Sequence, residues 1–495
     1  MHHKGHTYHK GHTPQAKTIT ASGEAVSHNP HVLIVFMICL AFANGFIEGM
    51  MNIALPHISE QFHIPLSWAN WMIVGYTIVA ATTITTSAAF LRRFGLRILF
   101  TTATAALFVG SLICCMYVNF AMLLIGRLIQ AISTGLSFPT ATSVILLVIK
   151  HKHQGIWLSV DSALIALGVA LGPLVSGIML TNFGIRSMFL VPACMALIIF
   201  VLGIKHVYIV EQHAHPPIDI PSLIMAFLGL TAFMFGIGEV FRDPGPSSII
   251  IAVGFAILVL FCWRQLHIKT PLLDLSPLRH ARYTVGIVLI MVAMTSETAL
   301  AVLVPLYMEG AFGLTAAFAG LLIVGPVACD AVLAIFGGKI ADKHGMWPIV
   351  PLGFVLLAGG IIGVWYCATI ANLAGIIVSA GATFGGIGFI VAPDKRSAIG
   401  TLPHDDLSFG ASIESVSVQV ANSIGSALFV GVLSADVLQK TAEGMTKAHA
   451  YSFGFLHTVL IGAAVGVIGM IVAFVYAYRM HKERLARETT ASSQR

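Results

Sequence analysis

Beyond a polar start of about 31 residues, long apolar runs follow one another with almost no room between them, and this constrains the fold more than any motif. Breaking the chain at charged, Pro-rich and Gly-rich punctuation gives apolar segments starting near residues 32, 68, 96, 121, 155, 185, 220, 247, 283, 315, 346, 371, 408 and 453. A helix needs roughly 20 apolar residues to cross the hydrocarbon layer. Only 10% of the residues are charged, against about 25% in an average soluble domain. The expectation is an all-α polytopic membrane protein with about fourteen transmembrane helices, its partner the lipid bilayer.

An even count of spans puts both termini on one side. Under that assignment all but five of the 27 Lys and Arg fall in the two tails and in the loops on their side; the exceptions are Arg127, Arg186, Arg242, Lys440 and Lys447. Positive charge marks the cytoplasmic face, so the chain is expected in the cell membrane with both termini in the cytoplasm. The net charge of +6 is scattered between apolar runs and not gathered on one soluble face, which argues against a nucleic-acid partner. The seven cysteines all lie in apolar runs without metal-ligand or redox spacing. No signal peptide with a basic start and short apolar core opens the chain. His3-Lys4-Gly5-His6-Thr7 and His9-Lys10-Gly11-His12-Thr13 form a short repeat in the tail. Two readings stand there, an adventitious metal binder or a disordered polar tail.

A longer repeat appears at an offset of about 250 residues. Ile73-Val74-Gly75 matches Ile323-Val324-Gly325, Phe62 matches Phe312, and Pro56 lies one residue out of register with Pro305. The loop Ala88 to Gly95 lies against Gly338 to Gly345. Two homologous halves follow, which is a known transporter plan. The expected organisation is a cytoplasmic His-rich tail (1–31), a six-helix half (32–208), an inserted helix pair with its loops (209–282), a second six-helix half (283–480) and a tail (481–495).

Four motifs resemble those of the major facilitator superfamily, and within it the fourteen-span drug:proton antiporters of the QacA and EmrB kind. Gly338 to Gly345 is similar to the inter-helix pattern G-x-x-x-D-x-x-G, including Asp342; the first half has Ala88 and Arg92 at the Gly and Asp positions. Arg127-Leu128-Ile129-Gln130-Ala131, with Gly135 and Pro139, resembles the fourth-helix pattern, Ala131 standing for a Gly. Gly168, Gly172, Pro173 and Gly177 resemble the fifth-helix antiporter motif. Asn52, Ala54, Leu55 and Pro56 match the first-helix pattern, but Ile47 replaces its Asp and Glu48 follows. The resemblance implies the major facilitator fold, two six-helix halves plus the inserted pair, and associates the fifth-helix motif with export. The departure at Arg92 removes from the first half the Asp that the pattern carries.

Ionisable side chains at mid-bilayer cost at least about 2.5–3.5 kcal/mol on insertion scales and are functional by default. Glu48, Arg127, Asp161, Glu297, Asp330 and Glu414 all lie in such segments, and in the superfamily plan all fall on cavity-lining helices. A coupling carboxylate must take up and release a proton as its exposure alternates. Glu297 and Asp330, nearest the midplane, are the first candidates, followed by Glu414 and Glu48. Each has the alternative of a structural partner to Arg127 or to a backbone group. Asp161 belongs with the conformational motifs, or pairs with a cytoplasmic Arg or Lys. Arg127 is either a counter-charge that tunes a carboxylate or a hydrogen-bond hub. Arg127, Gln419, Asn422 and Asn52 are candidate substrate contacts, with Tyr76 and Tyr307 as aromatic ones.

No G-x-x-x-x-G-K-[ST] loop supports an ATP-driven pump, and neither H-E-x-x-H nor G-x-S-x-G supports a membrane-embedded enzyme. A repeat of two halves with midplane carboxylates suits alternating access better than a continuous channel. The leading expectation is a non-enzymatic, proton-coupled secondary transporter that exports drugs or amphipathic compounds. The alternative is a proton-coupled transporter of one metabolite. No cofactor or metal site is expected; the partners are a small-molecule substrate and protons, and the chain is expected as a monomer with room for an accessory subunit.

Overall fold

The computed structural model describes residues 17–19, 25–27, 30–64, 69, 71–207, 219–240, 243–268, 271–403 and 406–493. The His-rich repeat of the tail therefore lies outside the described residues. In the polar start, β1 (Lys17–Ile19) pairs antiparallel with β2 (Ala25–Ser27).

The helices follow in order: α1 (Pro30–Phe62), α2 (Trp71–Cys115), α3 (Phe120–Val148), α4 (His151–Phe183), α5 (Ile185–Met188) and α6 (Leu190–Gly203). Next come α7 (Ile220–Glu239), α8 (Pro244–His267), α9 (Ala281–Phe312), α10 (Ala316–His344), α11 (Ile349–Thr369), α12 (Leu373–Ile399), α13 (Leu407–Ala442) and α14 (Lys447–Ser493). Among the described residues 13 helices are long and apolar enough to cross a membrane, the short α5 and α6 together making one of them. One of the 13, α2, has 45 residues. At 1.5 Å per residue it would reach roughly 68 Å if straight, about twice the hydrocarbon thickness. It does not run straight, because Gly95 breaks it with φ 78° and ψ 168°. Its two limbs make separate crossings, giving the fourteen that the segment count anticipates.

The break falls on the repeat. Gly345, the counterpart of Gly95, also has φ 78° and ends α10. A side chain would strain this left-handed conformation, so both loops keep the glycine. The capping chemistry repeats as well. Asn119 accepts a hydrogen bond from the Met122 amide at the start of α3, and Asn372 accepts one from Gly375 at the start of α12. These Asn caps begin the same helix in each half and satisfy amides that lipid cannot.

The largest apolar cluster joins α1, α2, α3 and α4, and a second joins α9, α10, α11, α12 and α14. The inserted α7 and α8 pack on each other. Leu230 and Met234 of α7 rest on Ile78 and Ala81 of α2, beside Val420 of α13. Where α7 begins and α8 ends, Arg264 clasps Asp219 with both arms of its fork, at 3.0 Å each. The outward faces of α8, including Phe255, Leu260 and Trp263, are exposed, as lipid-facing side chains must be.

Candidate functional site

Small residues bring α1 and α4 into backbone contact. A Cβ on Gly168 would lie 2.5 Å from the Phe42 carbonyl oxygen, and one on Gly172 2.6 Å from that of Phe46. The contact is reciprocal, since Gly45 and Gly49 of α1 sit as close to the carbonyls of Ile165 and Val169. Four-residue spacing of glycines lets helices approach in lipid, where no hydrophobic force draws them together. Pro173 lies inside α4, with Gly177 one turn further on. Sequence reasoning names one side of this contact and misses Gly45 and Gly49.

Around Arg127, 1% exposed, the first half builds a closed polar network. Its Nη1 donates to Gln130 Oε1 at 3.1 Å and to the Ile47 carbonyl at 3.4 Å, and Nε donates to the Met72 carbonyl at 3.4 Å. The guanidinium carbon lies 4.2 Å from the centre of the Tyr76 ring. Gln130 passes the chain on to Ser111 at 2.8 Å. The Tyr76 hydroxyl meets Thr134, which donates to Asn44 at 3.0 Å, and Asn44 donates to Ser137 at 2.9 Å. Every member lies on α1, α2 or α3. Asn44, Thr134 and Ser137 carry no sequence signal beyond being polar in apolar helices.

At mid-depth the acids of the two halves come within electrostatic reach across the boundary. Glu48 lies close to the middle of α1, Glu297 at the middle of α9 and Asp330 at the middle of α10. Gln419 of α13 donates to Glu48 Oε1 at 3.0 Å, across the boundary between the halves. Glu297 is within electrostatic reach of both Glu48 and Asp330. Glu48 and Glu297 are half-buried, and Asp330 rests against Gly388 of α12. Asn422, a turn beyond Gln419, accepts from Thr298 of α9 at 2.9 Å. Glu48, Glu297, Asp330 and Gln419 are thus brought together, with Asn422 beside them.

Other candidates lie elsewhere. Tyr307 stacks on Phe455 of α14 at 4.1 Å, ten residues beyond Glu297 along α9. The side chains of Asn52 and Asp342 lie outside the described residues. Gly338 packs against Ser159 of α4, with no space for a Cβ. Ser87 and Ser412 meet at 2.9 Å, and Arg92 lies over the Phe409 ring at 4.3 Å. These contacts join the halves toward the side on which α2's first limb ends and α4 begins, the side of the chain's termini.

Glu414, 2% exposed, pairs with Lys395 Nζ at 3.2 Å and accepts from Ser415 at 3.3 Å. Its partner is therefore a lysine that charge counting assigns to a loop. Helix α12 continues past Pro393 to Ile399, carrying Asp394 and Lys395 into the bundle, while Arg396 donates to the Ala341 carbonyl at 3.1 Å. Asp161 is fully buried, and neither of its oxygens has a hydrogen-bond partner among the described residues; the same holds for the carboxylate of Asp394. The signal that would have found the lysine is Pro393 followed by Asp-Lys-Arg, a charged triplet too close to an apolar run to be loop alone.

The profile of the family described as Major Facilitator Superfamily matches residues 37–288. The chain is similar to the lincomycin resistance protein LmrB of Listeria innocua, 27% identical over 89% of this chain and 96% of that protein. It is also similar to the riboflavin transporter RibZ of Clostridioides difficile, 23% identical over 91% of this chain and 98% of the relative. Among solved structures, the proton:xylose symporter XylE superposes with a TM-score of 0.61 at 13% identity, covering 90% of this chain and 95% of its own. That likeness is one of fold.

Proposed function

Because the chain belongs to the Major Facilitator Superfamily and is thereby a multi-pass membrane transporter, we propose that it couples proton entry to export of drugs or amphipathic compounds by alternating access. The observation that carries this reading is the placing of Glu297 at mid-depth within electrostatic reach of both Glu48 and Asp330, with Gln419 bridging the halves to Glu48 at 3.0 Å. Three carboxylates in one low-dielectric region repel one another when ionised; Arg127 reaches Glu48 but neither of the others, so protons are the counter-ions left to Glu297 and Asp330. A cationic or amphipathic substrate entering the same region favours the ionised form and displaces them. Rocking the halves about this centre exposes it to one side and then the other.

Glu297 and Asp330 carry the coupling proton, with Glu48 and Glu414 as the further carboxylates. Arg127 holds the first half in register through its own hydrogen bonds. The termini are cytoplasmic, the chain works as a monomer, and the inter-half contacts at Ser87–Ser412 and Gly338–Ser159 close the cytoplasmic side. The drug-export reading draws on the lincomycin resistance relatives. A second reading, transport of one metabolite, draws on the riboflavin transporter at nearly the same coverage.

The test is purified protein in liposomes under an imposed pH gradient, assayed with lincomycin, ethidium and riboflavin. Gradient-driven movement of several unlike compounds supports the exporter. Movement of riboflavin alone supports the metabolite transporter. No response of any flux to the gradient contradicts proton coupling.

A further inference from the structure

We propose that Asp161 is a second proton-binding site, set on the seam between the two halves, and that Lys395 is shared between it and Glu414 as that seam opens and closes. Asp161 stands in the first third of α4, nearer the terminus side than the mid-depth acids. It is fully buried, and both carboxylate oxygens are without a hydrogen-bond partner among the described residues. The charged groups that reach it come from the other half: Lys395 of α12 and Glu414 of α13. Lys395 Nζ is engaged by Glu414 at 3.2 Å, and Tyr283 of α9 lies beside that pair with its hydroxyl on the Gly410 carbonyl at 2.7 Å.

Among the described residues, His31 of α1 stacks on Trp157 at 5.6 Å, a turn before Asp161, and the remaining contacts that α4 makes along this stretch are uncharged. From α1 comes Phe42, and from α10 come Ala331, Ala334 and Gly338. At the α3–α4 junction Gln154 is spent on the carbonyls of Leu146 and Ile149. One lysine therefore serves two buried carboxylates from opposite halves. A buried ionised carboxylate with neither hydrogen bond nor ion pair is among the costliest groups a protein holds. With Lys395 on Glu414, the stable form of Asp161 is the neutral acid. If the halves part on this side, Asp161 meets water and releases its proton. Closing the seam then requires either proton uptake or transfer of Lys395 from Glu414. Either way the seam carries a titrating group of its own, apart from the mid-depth acids.

Its place in transport rests on the proton-coupled reading above, but the test does not. Protein carrying Glu297→Gln and Asp330→Asn, which remove two of the three mid-depth acids, is placed in lipid nanodiscs at neutral pH. Infrared spectra are recorded in H2O and D2O with and without Asp161→Asn. The expected result is loss of one D2O-sensitive carboxylic-acid C=O band. Asp161→Glu, which keeps an acid should the amide disturb folding, moves that band instead of deleting it. Adding Glu414→Gln frees Lys395, and the Asp161 acid band is then replaced by carboxylate bands. If the Asp161→Asn difference contains carboxylate bands only, the proton site is overturned. If the acid band persists in the Glu414→Gln protein, the sharing of Lys395 is overturned. Neither result bears on whether Glu297 and Asp330 drive transport.

Discussion

Both halves bury charge in their middles, but they treat it differently. The first half holds a deep cation, Arg127, and gives it Gln130, two backbone carbonyls and the Tyr76 face, all from its own helices. The second half and the seam hold acids: Glu297 and Asp330 within reach of each other, Glu414 against Lys395, and Asp394 with no hydrogen-bond partner among the described residues. Glu48 and Asp161 are the first half's contributions to that group: Glu48 takes its hydrogen bond from Gln419 across the boundary, and Asp161 has none among the described residues. A satisfied buried network rigidifies its surroundings, whereas an unsatisfied one is costly in any single state. On the proposed function, the Arg127 network is the scaffold, and the acids are the part whose energy changes with conformation and proton load.

The largest effect that sharpens this contrast is expected at the α1–α4 contact. Gly172→Leu forces a side chain into the Phe46 carbonyl and the Met50 amide, overpacking that costs about 1–3 kcal/mol or more. Membrane insertion should persist while transport is lost, measured as liposome flux against protein recovered in the membrane fraction. Normal flux would show that the scaffold tolerates loosening.

Arg127→Lys comes next. Lysine keeps the charge but cannot span Gln130, Ile47 and Met72 with one fork. A stability loss of about 1.5–3 kcal/mol, read as a fall in thermal midpoint in detergent, should come with an unaltered pH dependence of transport. A shifted pH dependence would move Arg127 from the scaffold to the coupling machinery. The caps should cost less. Asn119→Ala and Asn372→Ala each remove one amide partner, worth about 1 kcal/mol, and the two losses should be alike if the halves are built alike.

The smallest effect belongs to the inserted pair. Hydrogen bonding to Arg264 holds the Asp219 carboxyl below its ordinary value. Its stabilisation is therefore present above about pH 4 and fades as pH falls through the lowered value. Asp219→Asn should slightly lower the thermal midpoint at neutral pH and leave flux unchanged. A change in flux would tie α7 and α8 to the transport cycle.

Much of the architecture was legible because lipid imposes one rule on every span. Apolar length gave the fourteen crossings, and the internal repeat located Gly95 and Gly345, whose shared φ of 78° explains why both are glycine. The partners were not legible. Charge counting puts Lys395 in a loop, because a helix that carries its charges into a bundle looks the same in sequence as one that ends at them. Gln419 reads as a substrate contact, yet its hydrogen bond to Glu48 depends on two helices far apart in the chain. Residues placed by long-range packing leave no periodic trace.

The most direct test of the account is uphill transport by the Glu297→Gln/Asp330→Asn protein. One pH unit supplies about 1.4 kcal/mol per proton, so the intact protein should build roughly a tenfold gradient per coupled proton of whichever probe it carries. In the double variant that accumulation should fall to the level of empty liposomes, while exchange of the same probe down its gradient continues. Accumulation that persists with unchanged pH dependence would contradict the account and place the coupling carboxylate elsewhere.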